Sequence, residues 1–258
     1  MCELLGLAFN QPVRASLSFR GFRHRGAENP HGWGLAIYPE GEAGRARIYK
    51  EAESAEYSAL ADELRDSQRL ESSIFIGHVR FGNVGGQSFD NTHPFSREIR
   101  GRDFVLAHNG TLRWPDAGHG LDGSFTPVGT TDSEHALCAL LTWMIDEEIP
   151  FTGFRAIEER LRFANNLGTM NLLFSDGTHL FAYHDHRGYN GLCYTHRRAP
   201  FPSVRLEDED WAVRLADQKH PDQRGYVIAT RPLTDEPWTD FEPGSLMVFK
   251  DGELVYPD

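Results

Sequence analysis

An α+β fold, with sheets stacked on each other and helices outside, is what the sequence predicts, and three observations predict it. Short apolar runs of strand length crowd both ends of the 258-residue chain. Segments with helical spacing fall between them in pairs. No internal repeat, low-complexity tract or Pro/Ser-rich linker divides the sequence, so one domain over residues 1–258 is expected.

Taken in order, the first apolar run, Leu4 to Ala8, reads as a strand, followed by a connecting stretch through Phe19 and Phe22. Trp33–Tyr38 and Ala46–Lys50 read as strands on either side of the turn Glu40-Gly41-Glu42-Ala43-Gly44. Leu60, Ala61 and Leu64 lie at helical spacing within a helix expected over Tyr57–Arg69. Ile74–Arg80 and Phe104–His108 are short, apolar and strand-like. The region from Val84 to Pro127 is otherwise rich in Gly, Asn, Asp and Pro and reads as loop. Thr131-Asp132-Ser133-Glu134 carries a capping residue with Glu three places on, the mark of a helix start, and the apolar run Ala136–Ile145 continues it. A further helix fits Phe154–Ala164. Strands are then expected at Met170–Ser175, Leu180–His184, Leu192–Thr195, Tyr226–Ala229 and Leu246–Lys250, separated by turns such as Ser175-Asp176-Gly177.

Composition narrows the class. Hydrophobic residues at 40% and charged residues at 25% are ordinary for a folded soluble protein. A formal charge of −12 would repel nucleic-acid backbones and anionic membrane surfaces. No apolar run approaches the roughly 20 residues of a membrane helix, and the first residues lack the basic-then-apolar pattern of a secretory signal. The three cysteines, Cys2, Cys138 and Cys193, are odd in number and widely spaced, with no C-x-x-C. That argues against a disulfide framework and a zinc site, and for a reducing cytoplasm. Cys138 and Cys193 read as buried, His184-x-His186 as a surface pair. No metal and no cofactor is expected, for there is no H-E-x-x-H, Walker A motif or G-x-G-x-x-G.

Cys2 is the residue with chemical promise. Removal of Met1 would leave it with both a thiol and a free α-amine. A thiol of pKa about 8.5 needs a base, and an amine of pKa about 7.7–8.0 on the same residue can serve as one. Taken alone, Cys2 reads more readily as a chance cysteine near a frayed terminus. Acyl transfer also needs donors for an oxyanion. Asn109-Gly110, at the end of the strand Phe104–His108, can supply a side-chain amide and an accessible backbone N–H, although Asn-Gly more often marks a turn. Arg80, at the end of another strand in His78-Val79-Arg80-Phe81-Gly82-Asn83, suits bidentate binding of a carboxylate, with a surface ion pair as the plain alternative. Asp132 could meet an ammonium group or simply cap its helix.

In order along the chain, Cys2, Arg25-Gly26, Gly32-Trp33-Gly34, His78-x-Arg80, Asn91-Thr92-His93-Pro94-Phe95, His108-Asn109-Gly110 and Gly129-Thr130-Thr131-Asp132-Ser133-Glu134 resemble the class II glutamine amidotransferase domain. That domain is a member of the N-terminal nucleophile hydrolases, and the likeness is greatest to its stand-alone bacterial type. The resemblance implies a four-layer α-β-β-α sandwich. It implies Cys2 as nucleophile, Asn109 and Gly110 as oxyanion hole, Arg80 on the α-carboxylate of glutamine and Asp132 on its α-amine. Arg25 would join the substrate side by bracing the N-terminal residue, and His93 and Trp33 would shape the pocket. The expected ligand is glutamine or another γ-glutamyl small molecule, with the ammonia used by an acceptor or a separate synthase subunit. A non-catalytic binding module of the same fold is the remaining alternative.

Overall fold

Pairing with two neighbouring strands carries the first strand further than the run Leu4 to Ala8 indicates. In the computed structural model, which describes residues 1–257 apart from 43, 68, 69 and 83, this strand is β1 (Glu3–Arg14). The seven-stranded first sheet also holds β2 (Trp33–Ile37), β3 (Arg47–Glu51), β4 (Glu71–Val79), β9 (Cys193–Arg198), β12 (Arg224–Ala229) and β13 (Thr239–Asp240). Its order is β13-β9-β12-β1-β4-β2-β3. The second sheet has six strands, β5 (Phe95–Ile99), β6 (Arg102–Leu112), β7 (Gly168–Ser175), β8 (Leu180–Tyr183), β14 (Leu246–Lys250) and β15 (Glu253–Tyr256), in the order β15-β14-β8-β7-β6-β5. The short pair β10 (Ser203–Arg205) and β11 (Ala212–Arg214) stands apart. The helices are α1 (Ser16–His24), α2 (Ala59–Asp66), α3 (Asp132–Asp146) and α4 (Phe154–Ala164).

Three apolar layers show how these elements stack. Leu4, Ala8 and Ile76 of the first sheet interlock with Val105, Ala107, Leu173 and Phe249 of the second. The outer face of the first sheet packs Leu5, Leu7, Phe75 and Trp33 against Phe19 and Phe22 of α1 and Ala61 and Leu64 of α2. The outer face of the second packs Leu106, Leu172 and Phe174 against Leu137 and Leu141 of α3 and Ile157 and Leu161 of α4. Every layer is a seam of buried apolar side chains, and apolar burial of this kind is the main drive for folding. The result is the four-layer α-β-β-α sandwich.

Several expectations are corrected here. The stretch through Phe19 and Phe22 is a helix, because Ala15, Phe19 and Phe22 share one helical face against the first sheet. The expected helix over Tyr57–Arg69 is shorter, starting after Ser58, whose hydroxyl accepts the Ala61 N–H at 2.9 Å; its expected end at Gln68 and Arg69, like Ala43 of the expected turn, lies outside the described residues. Within Val84–Pro127 the chain forms β5 and an eleven-residue β6, paired antiparallel. Cys138 and Cys193 are buried, as expected. His184 is buried too, its Nδ1 on the carbonyl of Phe241, so the expected surface pair is half wrong. No helix among the described residues is long and apolar enough to cross a membrane, and among them no group of three His, Cys, Asp or Glu could hold a metal ion.

Candidate active site

Strand register brings the chemistry together. β1 and β4 pair antiparallel with Glu3 opposite Val79, so Cys2 and Arg80 lie one step beyond at the same edge. Asn109 and Gly110 lie towards the far end of β6 in the facing sheet, and Asp132 opens α3. One small pocket is lined by Cys2, Arg80, Phe81, Gly82, Val84, His93, His108, Gly110, Thr131, Asp132 and Ser133. Asn83, inside the expected Arg80 run, lies outside the described residues.

The Cys2 sulfur accepts the Phe81 N–H at 3.1 Å and sits 3.4 Å from the Phe81 carbonyl. Burial pushes its thiol above the ordinary range, only partly offset by the Phe81 hydrogen bond. The thiol is therefore protonated at neutral pH and needs a base. Met1 still precedes it here and is largely exposed, so the nitrogen of Cys2 is a peptide nitrogen until that residue is cleaved.

Asn109 is buried and donates through Nδ2 to the Cys2 carbonyl at 2.7 Å. An amide nitrogen carries two hydrogens, so a second donor remains. Gly110 admits no side chain. A Cβ there would fall 2.0 Å from the Thr169 carbonyl and 2.6 Å from His108 Nε2. Gly110 pairs with Met170 within β6, where the close approach of β7 leaves room only for glycine, and it lines the pocket.

Arg80 is buried to 3% exposure with no carboxylate partner among the described residues, so a surface ion pair is not what holds it. Its backbone is pinned by Gly32 and His31. Nη2 donates to the carbonyls of Val84 at 2.9 Å and Gly85 at 3.4 Å, while Nη1 has no partner. Burial lowers its pKa, and a buried guanidinium with an idle donor favours an incoming anion. Thr131, not Asp132, caps α3, accepting the Glu134 N–H at 3.2 Å. The carboxylate of Glu134 reaches Gly129 N and Arg97 instead of the cap's own N–H. Asp132 Oδ2 accepts the Leu112 N–H at 2.6 Å, and Asp132 lines the same pocket as Arg80.

Three histidines cluster here, His93 and His108 lining the pocket and His78 stacked on His93. His78 and His93 stack with ring centroids 4.1 Å apart, and none of their four ring nitrogens has a partner. Burial holds both neutral, His78 down to about 3 and His93 well below its usual value. His108 donates from Nε2 to the Thr169 carbonyl at 3.1 Å, so its Nδ1 accepts the Ser133 hydroxyl at 2.8 Å. That bond ties β6 to the start of α3.

Two expected site residues lie elsewhere. Arg25 is buried, but its guanidinium binds Glu3 and Asp208, each at 2.9 Å, and the carbonyls of Arg231 and Pro232. All its reach is spent there, one residue from Cys2 and outside the pocket. Trp33 packs in the core against Phe19, with its ring N–H on Glu51 at 3.2 Å, because its strand faces α1. Residues that sequence reasoning missed act through the backbone or come from far along the chain. Phe81 brackets the thiol with its peptide group. Asn190 donates to the Cys2 carbonyl at 3.1 Å; its one signal, Asn190-Gly191, reads only as a turn. Asn91 bridges the Gly86 carbonyl and the Thr130 N–H, which explains that part of the motif as scaffolding.

The chain is similar to known proteins over nearly its whole length. The model of the family described as glutamine amidotransferases class-II matches residues 1–257. The chain is 43% identical to an uncharacterized protein of Methanocaldococcus jannaschii, over 99% of this chain and 71% of that one. It is 36% identical to YafJ of Escherichia coli (strain K12), provisionally named a glutamine amidotransferase, over 99% of this chain and all (100%) of the other. A crystal structure from Pseudomonas aeruginosa PA01, of a protein predicted to be a glutamine amidotransferase, superposes with a TM-score of 0.71 at 32% identity, covering 98% and 99% of the two chains.

Proposed function

The chain belongs to the class II glutamine amidotransferases, and from that premise we propose that it hydrolyses the side-chain amide of glutamine through a thioester on Cys2. Cleavage of Met1 frees the α-amine of Cys2, which takes the thiol proton directly or through one water. The thiolate attacks the amide carbon. The second N–H of Asn109 and the Gly110 N–H receive the oxyanion that forms. The protonated amine returns its proton to the leaving nitrogen, and ammonia departs. Water, activated by the same amine, then attacks the thioester, releasing glutamate and the thiol. Arg80 and Asp132 supply the cation and anion that a zwitterion requires, so the substrate's backbone end docks there while its uncharged amide faces the sulfur. Ammonia passes to an acceptor or a partner synthase.

The observation that carries this reading is the convergence of Cys2, the Gly110 backbone, the idle Arg80 guanidinium and Asp132 on one pocket, from four separate elements, with the Asn109 amide on the Cys2 carbonyl. Its test is ammonia release from glutamine by Met1-free protein and by Cys2→Ala. The wild type should release ammonia and the variant none, with an unchanged far-UV spectrum; equal release by both sinks the assignment. A second reading, hydrolysis of another γ-glutamyl compound, is favoured by a wider groove that continues from the pocket past Val84, Thr131 and Asp132 towards Trp114 and Asp116. Faster amine release from γ-glutamyl amides than from glutamine would select it.

A further inference from the structure

The carbonyl oxygen of Cys2 accepts two amide hydrogen bonds. Asn109 gives one at 2.7 Å, and Asn190 gives the other at 3.1 Å from 188 residues along the chain. Asn190 occupies the left-handed region, with φ +56, and Gly191 follows it at φ +70. This turn is held from beneath. Buried Asn171 donates through Nδ2 to the carbonyls on either side of Asn190, Tyr189 at 2.7 Å and Gly191 at 3.2 Å. Its own Oδ1 accepts the Asp185 N–H at 2.8 Å. The Asp185 carboxylate in turn gathers the N–H groups of Arg187 and Met170, each at 2.8 Å, that of Tyr189 at 3.4 Å, and Asn165 Nδ2 at 2.7 Å. Asn171 stands directly opposite Asn109 in the β6–β7 register, so one strand pair sets both donors.

We propose that Asn190 is a positioning residue for the nucleophile, fixing the carbonyl of Cys2 so that thiol and amine keep one orientation after Met1 is gone. The role rests on Cys2 being the nucleophile of the amide hydrolysis. A terminal residue loses the chain that precedes it and can pivot about its remaining bonds. A single hydrogen bond from Asn109 leaves that pivot free; two donors, one on β6 and one on the turn at Asn190, remove it and let Asn109 present its second N–H to the oxyanion. Asn190 touches no reacting atom.

Asn190→Gly keeps the left-handed backbone and deletes the amide; Asn190→Asp keeps the shape and replaces both donors by acceptors. Both variants are made in Met1-free protein and assayed for glutamine hydrolysis and for the rate at which iodoacetamide alkylates Cys2, read by peptide mass spectrometry. In both, kcat should fall about tenfold with KM within about twofold, since misplacing a reacting group slows chemistry without touching the zwitterion anchors. Cys2 should be alkylated severalfold faster in each, because a loosened thiol leaves its buried position. An unchanged alkylation rate in both variants overturns the proposal, whatever the activity. If wild-type protein releases no ammonia from glutamine, the substrate reading is what fails, and alkylation alone decides on Asn190.

Discussion

At the scale of single residues, the chemistry is set by what each polar group has left to give. Arg80 keeps an unpartnered Nη1 beside two loop carbonyls. Arg80→Lys removes the planar fork and leaves a point charge, so KM for glutamine should rise about tenfold or more with kcat less affected; initial-rate kinetics check this, and an unaltered KM takes Arg80 out of substrate binding. Asn109 has one N–H on Cys2 and one to spare. Asn109→Ala should lower kcat by about 10²–10³ if it donates to the oxyanion, measured under saturating glutamine; a loss under about threefold denies it that role. Arg25 and Trp33 show the limit of residue-by-residue reading. Both sit within the matched motifs, yet neither faces the pocket, since strand and helix orientation aim one at Glu3 and the other at α1.

At the scale of elements, the site depends on where strands and helices end. The cap of α3 is Thr131, and Asp132 is placed by the turn that this cap begins. Thr131→Ala should cost about 1 kcal/mol of stability and raise KM, as Asp132 loses its fixed position; urea unfolding and kinetics read the two effects, and a stable variant with weakened KM would separate capping from placement. The cap was legible from Thr131-Asp132-Ser133-Glu134, because capping chemistry is local. The α1 helix was not, for its only signal is three apolar residues whose spacing gains meaning once a sheet lies beneath them. The same holds for β5, a short strand that exists by pairing with β6 across a tight turn at Arg100 and Gly101.

At the scale of the whole molecule, three histidines are enclosed where the two sheets meet α3. Within the fold His78 is held neutral to about 3 by burial, whereas a solvated histidine protonates at about pH 6.5. As pH falls through that window, the unfolded chain takes up a proton that the folded chain refuses. Stability therefore drops with acid, by up to about 1.4 kcal/mol per pH unit for each such histidine, and is fully present only above about 6.5. His93 and His108, shifted the same way by burial, add to the slope. His78→Phe keeps the ring stack and removes one titrating group, so urea unfolding at pH 7 and pH 5 should show a shallower decline than wild type. An identical decline would show that His78 protonates freely in the folded protein.

The sequence by itself determined the local matters: which runs are strands, where α3 starts, that a thiol stands second in the chain, and that an Arg, an Asn-Gly pair and an Asp recur at element ends. It determined these because capping, alternation and motif order involve neighbours along the chain. Only the tertiary structure decided which ends meet. Register between β1 and β4 sets Cys2 beside Arg80, sheet stacking brings Asn109 onto the Cys2 carbonyl, and a turn 188 residues away supplies Asn190. Those contacts join residues with no local relation, so they exist only after the apolar seams between the layers have closed.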